Sequence, residues 1–388
     1  MGSIGFYEGA GFFFLLVLAL LPAIVLGVKE KPLKYYQLAV SVFFICLILG
    51  QEPGQFFAFL VFYGLSLFLI KTYLKWNEAH KRDGRAYVLV VGLLLLPLIL
   101  CKIFPFFGGS LMAFVGISYL TFRNVQIAIE IYDGVIREVP TASYTAFLLF
   151  FPSFSSGPID RSRRFQTDWE TIYKRDEYLE LLGDGIYKLL LGLVYKMILA
   201  SPFYLLMNQC ATDTEWFFNL GYAYSYGLYL FFDFAGYSLM AVGTAYILGV
   251  RLPDNFCKPF CSIDIKDFWD RWHISLSHWF RDFLFTRFIM RCTKKKWFHN
   301  RLQRASAGFL VNMGVMGLWH GLTLSYILYG LYHGILLAGT EVYQKKSGFY
   351  KKYKSCKWYQ GLSWFVTMQF VFFGFFIFSG RFLEVLGI

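Results

Sequence analysis

Apolar residues gather in runs along the first third of the chain, at about 12–28, 36–50, 55–74, 87–104 and 110–131, divided by short polar connections. Each run approaches the roughly 20 apolar residues that a helix needs to cross the hydrocarbon of a bilayer, so each predicts a spanning helix. A second group lies near 141–152, 184–207, 219–250, 308–340 and 360–380. Several of these are too short, too long or too interrupted by glycine for one straight span, and 219–250 and 308–340 are each expected to form two helices. No repeat with a period of about 20–50 residues is visible, which speaks against two similar halves around a midplane site.

The connections alternate in charge. The stretch 29–34 carries Lys29, Lys31 and Lys34, and 71–86 carries Lys71, Lys75, Lys81, Arg82 and Arg85, whereas 51–54 and 105–109 carry no basic residue. Basic loops stay on the cytoplasmic side, which puts the N-terminus outside. No Lys or Arg precedes the first run and no small-residue cleavage site follows it, so it predicts a retained span rather than a signal peptide. Phe6 stands where a myristoylation signal needs Ser or Thr.

Composition extends this picture to the whole chain. Charged residues are 16% of the 388, against roughly 25% in a soluble domain, so lipid must be the solvent for much of the surface. Disordered, fibrous and small secreted classes are excluded. The expected fold is all-α, a polytopic integral membrane protein. A net charge of +12 then points to basic cytoplasmic loops and an acidic partner or lipid surface, not to nucleic acid. The seven cysteines are odd in number, and Cys46, Cys101 and Cys210 stand singly within apolar runs, as free thiols acting as small buried hydrophobes do.

Chemistry is expected in the polar stretches, 153–183 and above all 251–304. KDFWDRWHISLSHWFRDFLF (266–285) spaces apolar and aromatic residues as helices do, predicting helical segments partly sunk in the membrane and a short re-entrant arrangement. Backbone at that depth is tolerated where it is buried in protein or lines a wet cavity. His273 stands there beside Trp269, Trp272, Asp270 and Arg271, a setting fit either to orient an imidazole and hold a charged or thioester-bearing substrate or to form an interfacial aromatic belt with a solvated histidine. His320, in GVMGLWHGLTLSYILYG, is the only strongly ionisable side chain between Arg304 and His333. An ionisable group in an apolar run is a functional candidate, and an imidazole can take a proton from a hydroxyl and return it to a leaving group. The alternative is a hydrogen-bonded core histidine, although Gly317 and Gly321 beside it permit close approach of backbone or ligand. On an ideal helix His278 lies about 140° from His273 and His333 about 220° from His320, so His278 reads as a neighbour with no catalytic role and His333 as a structural histidine.

Cys257, Cys261, His273 and His278 have nearly the spacing of a zinc finger, but charges and Trp rings occupy the stretch where a finger packs its apolar core, and no metal is expected. No metalloprotease, α/β-hydrolase or nucleotide-binding fingerprint appears in its required context. The run 286–304 holds Arg287, Arg291, Lys294, Lys295, Lys296, Arg301 and Arg304 without one acidic residue. It suits a cytoplasmic loop and also a docking surface for an acidic partner, with Ile289 and Met290 as apolar anchors. Arg161, Arg163 and Arg164 fit lipid headgroup contact or topology better than substrate binding.

Five ordered segments carry a resemblance: GISYLTFRNVQIAIEIYDG (116–134), FFPSFSSGPIDRSRRF (150–165), FFDFAGYSLMAVGTAYILGVRLPDNF (231–256), FWDRWHISLSHWFRDF (268–283) and GLWHGLTLSYILYGLYHG (317–334). Through them the chain resembles the membrane-bound O-acyltransferases, and among these the DltB-like branch of teichoic acid D-alanylation. Alginate-type polysaccharide O-acetyltransferases share the WHISLS motif but usually continue with a different segment from the FLFTRFIMRCTKKKW found here. The resemblance implies a ring of about 11 transmembrane helices with short re-entrant or interfacial helices around a central funnel or tunnel. It also implies one membrane acyltransferase domain over 1–388, with N-terminal helices to 135, a catalytic core over 136–340 and a C-terminal helix in 341–388. It makes His320 and His273 the catalytic pair, Trp269, Trp272, Ser275 and Trp319 substrate-binding, and Thr286, Ile289, Met290 and Arg301 the dock for a carrier protein. It implies a D-alanyl donor on the phosphopantetheine arm of the cytoplasmic carrier DltC, no permanently bound cofactor, the partners DltD and DltX, a teichoic acid acceptor outside and a place in the bacterial cytoplasmic membrane. An acetyltransferase acting on a cell-surface polysaccharide, a channel or flippase for an aminoacylated intermediate, and a scaffold that recruits the carrier are the competing readings.

Overall fold

The computed structural model describes residues 5–80, 82–107 and 113–388. The first four residues, Lys81 of the basic connection, Gly108 and Gly109 of the 105–109 connection, and the beginning of the 110–131 run lie outside the described residues. Among those described, regular structure is entirely helical: α1 Gly9–Val28, α2 Lys34–Leu49, α3 Pro53–Ala79, α4 Gly84–Ile103, α5 Ile117–Tyr132, α6 Thr141–Leu149, α7 Ser162–Glu170, α8 Arg175–Leu193, α9 Ala200–Cys210, α10 Trp216–Ile247, α11 Ile265–Arg271, α12 Ile274–Phe280, α13 Thr286–Lys295, α14 Arg301–His320, α15 Leu324–Lys346, α16 Gly348–Tyr353, α17 Lys357–Phe378 and α18 Arg381–Val385. Six helical stretches among the described residues are long and apolar enough to cross a membrane: 9–28, 53–79, 84–107, 175–210, 216–247 and 357–378.

The apolar runs became helices, with one division as expected and two departures. The 308–340 run divides in two as expected, at Gly321–Thr323. The 219–250 run does not divide: α10 is one 32-residue helix, because its glycines are contact points and not breaks. A Cβ on Gly227 would meet the rings of Phe372 and Phe375, and one on Gly243 would come within 2.5 Å of the Gly185 carbonyl. The other departure is α3, which continues through Lys71 and Lys75 to Ala79, so those lysines belong to a helix and not to a loop. The Lys71 ammonium reaches the Val139 carbonyl, as a long side chain at a membrane edge does. All seven cysteines are free; Cys292 is buried, whereas Cys46 is exposed and Cys101 and Cys210 are half-buried, so the expected burial of those three is incomplete.

The chain divides into two compact units, one formed by 1–193 with 237–253 and the other by 194–236 with 254–388. In the first, the nine-residue α6 is about 14 Å long, half of a roughly 30 Å hydrocarbon core, and its last carbonyls have no helical partner. Arg123 supplies one. Only 1% exposed, it donates from Nη1 to the Phe147 and Leu148 carbonyls, each at 2.8 Å, and from Nη2 to Ser153 O at 2.5 Å and Oγ at 2.7 Å. Tyr144 donates to Asn124 at 2.7 Å, tying α6 to α5 a second time. Gly116, at φ 95°, opens α5 in the left-handed region, and a Cβ there would come within 2.8 Å of the Phe154 carbonyl.

The second unit is organised by the antiparallel pair α14 and α15. A Cβ on Gly317 would come within 2.4 Å of the Tyr326 carbonyl, and one on Gly330 within 2.5 Å of the Met313 carbonyl. The two backbones therefore touch, as small residues allow within membranes. Gly317→Ala is expected to force them apart and destabilise the protein by about 1–3 kcal/mol, read as a lower thermal midpoint of the detergent-solubilised chain; an unchanged midpoint would show that the contact is loose. Before α9, residues Val194–Leu199 form a π-helical turn, and its Lys196 meets Asp233 of α10 at 2.5 Å, an ion pair inside two candidate spans.

Candidate active site

Both candidate histidines lie in the second unit, each at a helix end. Asp264 caps α11 by accepting from the Lys266 and Asp267 amides, each at 2.9 Å. After Arg271 the chain passes through extended Trp272 and left-handed His273, at φ 44° and ψ 52°, before α12 begins. That conformation is costly for a residue with a side chain and persists where its surroundings impose it. Asn255, 1% exposed, does so: its carbonyl accepts from the Ile274 amide at 2.9 Å, and its Oδ1 accepts from Ser275 Oγ at 2.6 Å and from the Ser275 amide at 3.3 Å. The Cys257 amide bonds the Arg271 carbonyl at 3.0 Å, so the irregular 255–257 segment braces both sides of the kink.

The kink sends the His273 side chain inward. It is 5% exposed, its ring stands edge-on to Phe234 at 4.7 Å, and its Nδ1 has no hydrogen-bond partner among the described residues. Burial, reinforced by the charge of His320, pushes its pKa down to about 3, so at neutral pH it is an uncharged imidazole. His320 is the last residue of α14 and only half-buried. The Trp319 ring lies 4.5 Å from its ring, Phe378 of α17 stands perpendicular at 5.0 Å, and Tyr326 and Tyr329 lie at 6.0 and 6.3 Å. The structure thus brings His273, His320 and Trp319 into one neighbourhood.

The other anticipated substrate residues have partners of their own. The Trp269 indole donates to His333 Nδ1 at 3.3 Å. Trp272 is enclosed by Phe256, Phe268 and Phe375, with ring centroids at 5.1, 5.5 and 4.9 Å. Ser275 is engaged with Asn255. His333 is 1% exposed and sits against Gly374, where a Cβ would come within 2.6 Å of its Nε2. The ideal-helix angles used for His278 and His333 do not describe the chain, since a left-handed residue precedes α12 and a turn separates α14 from α15. Cys257 and Cys261 are exposed while His273 is buried, and among the described residues no three His, Cys, Asp or Glu side chains gather as metal ligands do. Asn255, Phe234 and Phe378 were not singled out from the sequence. Asn255 falls inside a quoted segment, but its role depends on a backbone conformation that no spacing reveals.

The anticipated docking residues form a separate surface. On α13 Thr286 is exposed with its hydroxyl on the Arg281 carbonyl at 2.8 Å, Met290 is 56% exposed, and Ile289 is half-buried against Gly308. Arg291, Lys294, Lys295 and Lys296 are exposed beyond them, as are Trp297 and Arg301, the first residue of α14.

The amino-acid sequence of this helical membrane chain matches a known group. The sequence profile of the membrane-bound O-acyltransferase family covers residues 43–380. The chain belongs to this family. It is 42% identical over 387 residues to the teichoic acid D-alanyltransferase of Bacillus subtilis strain 168, covering 97% of this chain and 98% of that protein. The protein of the same name from Streptococcus thermophilus is 40% identical over 395 residues, covering 96% and 94%. The probable alginate O-acetylase AlgI of Pseudomonas aeruginosa is 32% identical over 245 residues, covering 60% and 44%. The chain is therefore a multi-pass membrane O-acyltransferase, and the membrane-bound O-acyltransferase region takes in both histidines and the surface of α13.

Proposed function

We propose that this O-acyltransferase D-alanylates teichoic acid, moving D-alanine from the phosphopantetheine thioester of a carrier protein, DltC, to a hydroxyl acceptor. Near-full-length similarity to the D-alanyltransferases supports the substrate class. The observation that carries the chemistry is the pair of imidazoles in different settings: one buried, uncharged and with a free nitrogen, the other half-exposed at a helix end. The acceptor oxygen attacks the thioester carbonyl carbon while its proton passes to His320. His273 donates a hydrogen bond to the carbonyl oxygen as negative charge develops there. Collapse breaks the carbon–sulfur bond, and the proton on His320 goes to the departing thiolate, leaving an ester and a free thiol. The carbonyl end of α14 favours the positive charge that His320 carries between these steps. Trp269, Trp272, Ser275 and Trp319 shape the walls that hold the donor, and no permanently bound cofactor is required.

In this reading the basic loops face the cytoplasm, DltC meets α13 and the first turn of α14, DltD and DltX act with the chain, and the aminoacyl group leaves on the outer side of the cytoplasmic membrane. The experiment is reconstitution in lipid with D-alanyl-DltC, DltX, DltD and teichoic acid, in parallel with an acetyl donor. Ester-linked D-alanine on the acceptor is expected; transfer of acetyl alone would move the assignment to polysaccharide acetylation.

The α13 surface yields a second expectation. Because exposed cations steer an acidic partner, raising salt from about 0.05 to 0.2 M should lower the apparent affinity for the carrier. Met290→Asp should raise KM for D-alanyl-DltC by roughly 10-fold or more, the cost of losing one well-packed anchor, with kcat at saturating carrier retained. A fall in kcat with unchanged KM would place the dock elsewhere.

A further inference from the structure

A cavity of about 730 Å³ lies in the second unit between α10, α15, α17 and α18. It is lined mainly by apolar side chains, among them Leu220, Ala223, Phe370, Phe373, Phe376 and Val385. Its polar lining is already engaged: Tyr224 donates to Gln369 at 2.6 Å, Gln369 to the Phe365 carbonyl at 3.3 Å, Tyr332 to the Phe370 carbonyl at 3.0 Å, and Asn219 to the Thr214 carbonyl at 2.7 Å. An ordered water needs two to four polar partners, so the space is suited to hydrocarbon. A transmembrane helix is about 10–12 Å across, and fewer than about two turns of one would fill this volume; an acyl chain is thin enough to enter it lengthwise.

The position of the cavity gives it a leaflet. α15 ends at Lys345 and Lys346, and α17 begins just after Lys351, Lys352 and Lys354, whereas the cavity lies toward the opposite ends of both helices. There the connection before α10 carries Asp213 and Glu215 without a basic residue, which marks the outer side. The wall is fixed: Arg381 of α18 donates to the Asp213 carbonyl at 2.6 Å and to Asn219 at 3.3 Å. Trp216 at the mouth is 76% exposed, as indoles at the level of headgroups are. One helix separates this space from the candidate active site, since α17 turns Phe376 to the cavity and Phe378 to His320.

We propose that this cavity is an outer-leaflet lipid-chain site, which holds the acyl chain of a membrane-anchored acceptor while its hydroxyl is presented to His320. The acceptor half rests on the D-alanyl transfer reading given above. The chemistry recognised is an acyl chain, whose sources are the lipid anchor of the acceptor polymer or a bulk phospholipid. A tethered acceptor meets the thioester at a local concentration far above its bulk value.

The test uses the full chain in lipid nanodiscs containing phosphatidylglycerol with a diazirine on its acyl chain. After irradiation, cross-links are expected within residues 369–386, displaced by lipoteichoic acid but not by the same polymer stripped of its acyl chains. Ala223→Trp and Val385→Trp, which fill the space from two helices, should each lose most of the cross-link. Absence of cross-links in that segment, or cross-links undiminished in both variants, overturns the site. Displacement by added phosphatidylglycerol but not by lipoteichoic acid overturns the acceptor half. The cross-link needs no turnover and should be equal in His320→Ala protein, so its failure is distinct from failure of the transfer assay.

Discussion

His320→Ala is expected to lower D-alanyl transfer by about 10²–10⁴, the contribution of a well-placed general base, with the amount and thermal midpoint of the protein in membranes unchanged. The second half of that statement follows from the setting: His320 ends its helix and is half-buried, so removing the ring opens no large core cavity. Binding of D-alanyl-DltC should persist, because the surface of α13 is untouched, and the loss should appear in kcat. His273 sharpens the interpretation of pH dependence. Held down to about 3 by burial and by the charge of His320, it stays neutral through the physiological range, so an acid limb in kcat near pH 5–7 reports a different group. Full D-alanylation by His320→Ala protein would make the chain a conduit or a dock and leave the chemistry to another protein.

Asn255→Leu is expected to be almost as damaging, though Asn255 touches no reacting atom in the proposed mechanism. Its Oδ1 is the acceptor for both the amide and the hydroxyl of Ser275, and leaving such buried donors unmet costs about 1–3 kcal/mol. The left-handed turn at His273 then keeps only its main-chain braces, the bonds of the Ile274 and Cys257 amides. A misplacement of about 1 Å is enough to lower a rate by about 10², so kcat should fall to that extent while KM for the carrier is retained. Ser275→Ala, which removes one of the two bonds and keeps the amide contact, should have a smaller effect on the same parameter. If Ser275→Ala instead raises KM with kcat intact, the hydroxyl contacts substrate and Asn255 is incidental.

These two predictions mark where sequence reasoning reached and where it stopped. Apolar runs located the helices because burial in lipid depends on length and composition, which are local. The same locality misread α10, since Gly227 and Gly243 look like breaks until Phe372 and Gly185 are seen packed on them. His273 and His320 were legible as ionisable residues in apolar surroundings, and the family motifs strengthened both. What no motif contained was the backbone sign at position 273, the bond from Asn255 that sets it, or the commitment of Trp269 to His333. These are contacts between residues far apart in the chain, and spacing along the sequence does not encode them.

The guanidinium of Arg123 bears on how the protein enters its membrane. α5 is not among the six stretches long and apolar enough to cross a membrane, and its bare arginine would be costly in hydrocarbon. Its four partner atoms all belong to the residues that follow, in α6 and the turn after it. α5 must therefore wait at the translocon until the next thirty or so residues have been made, roughly 2–6 seconds at ordinary rates of synthesis. The pair then enters lipid as one hairpin, with its charge already covered.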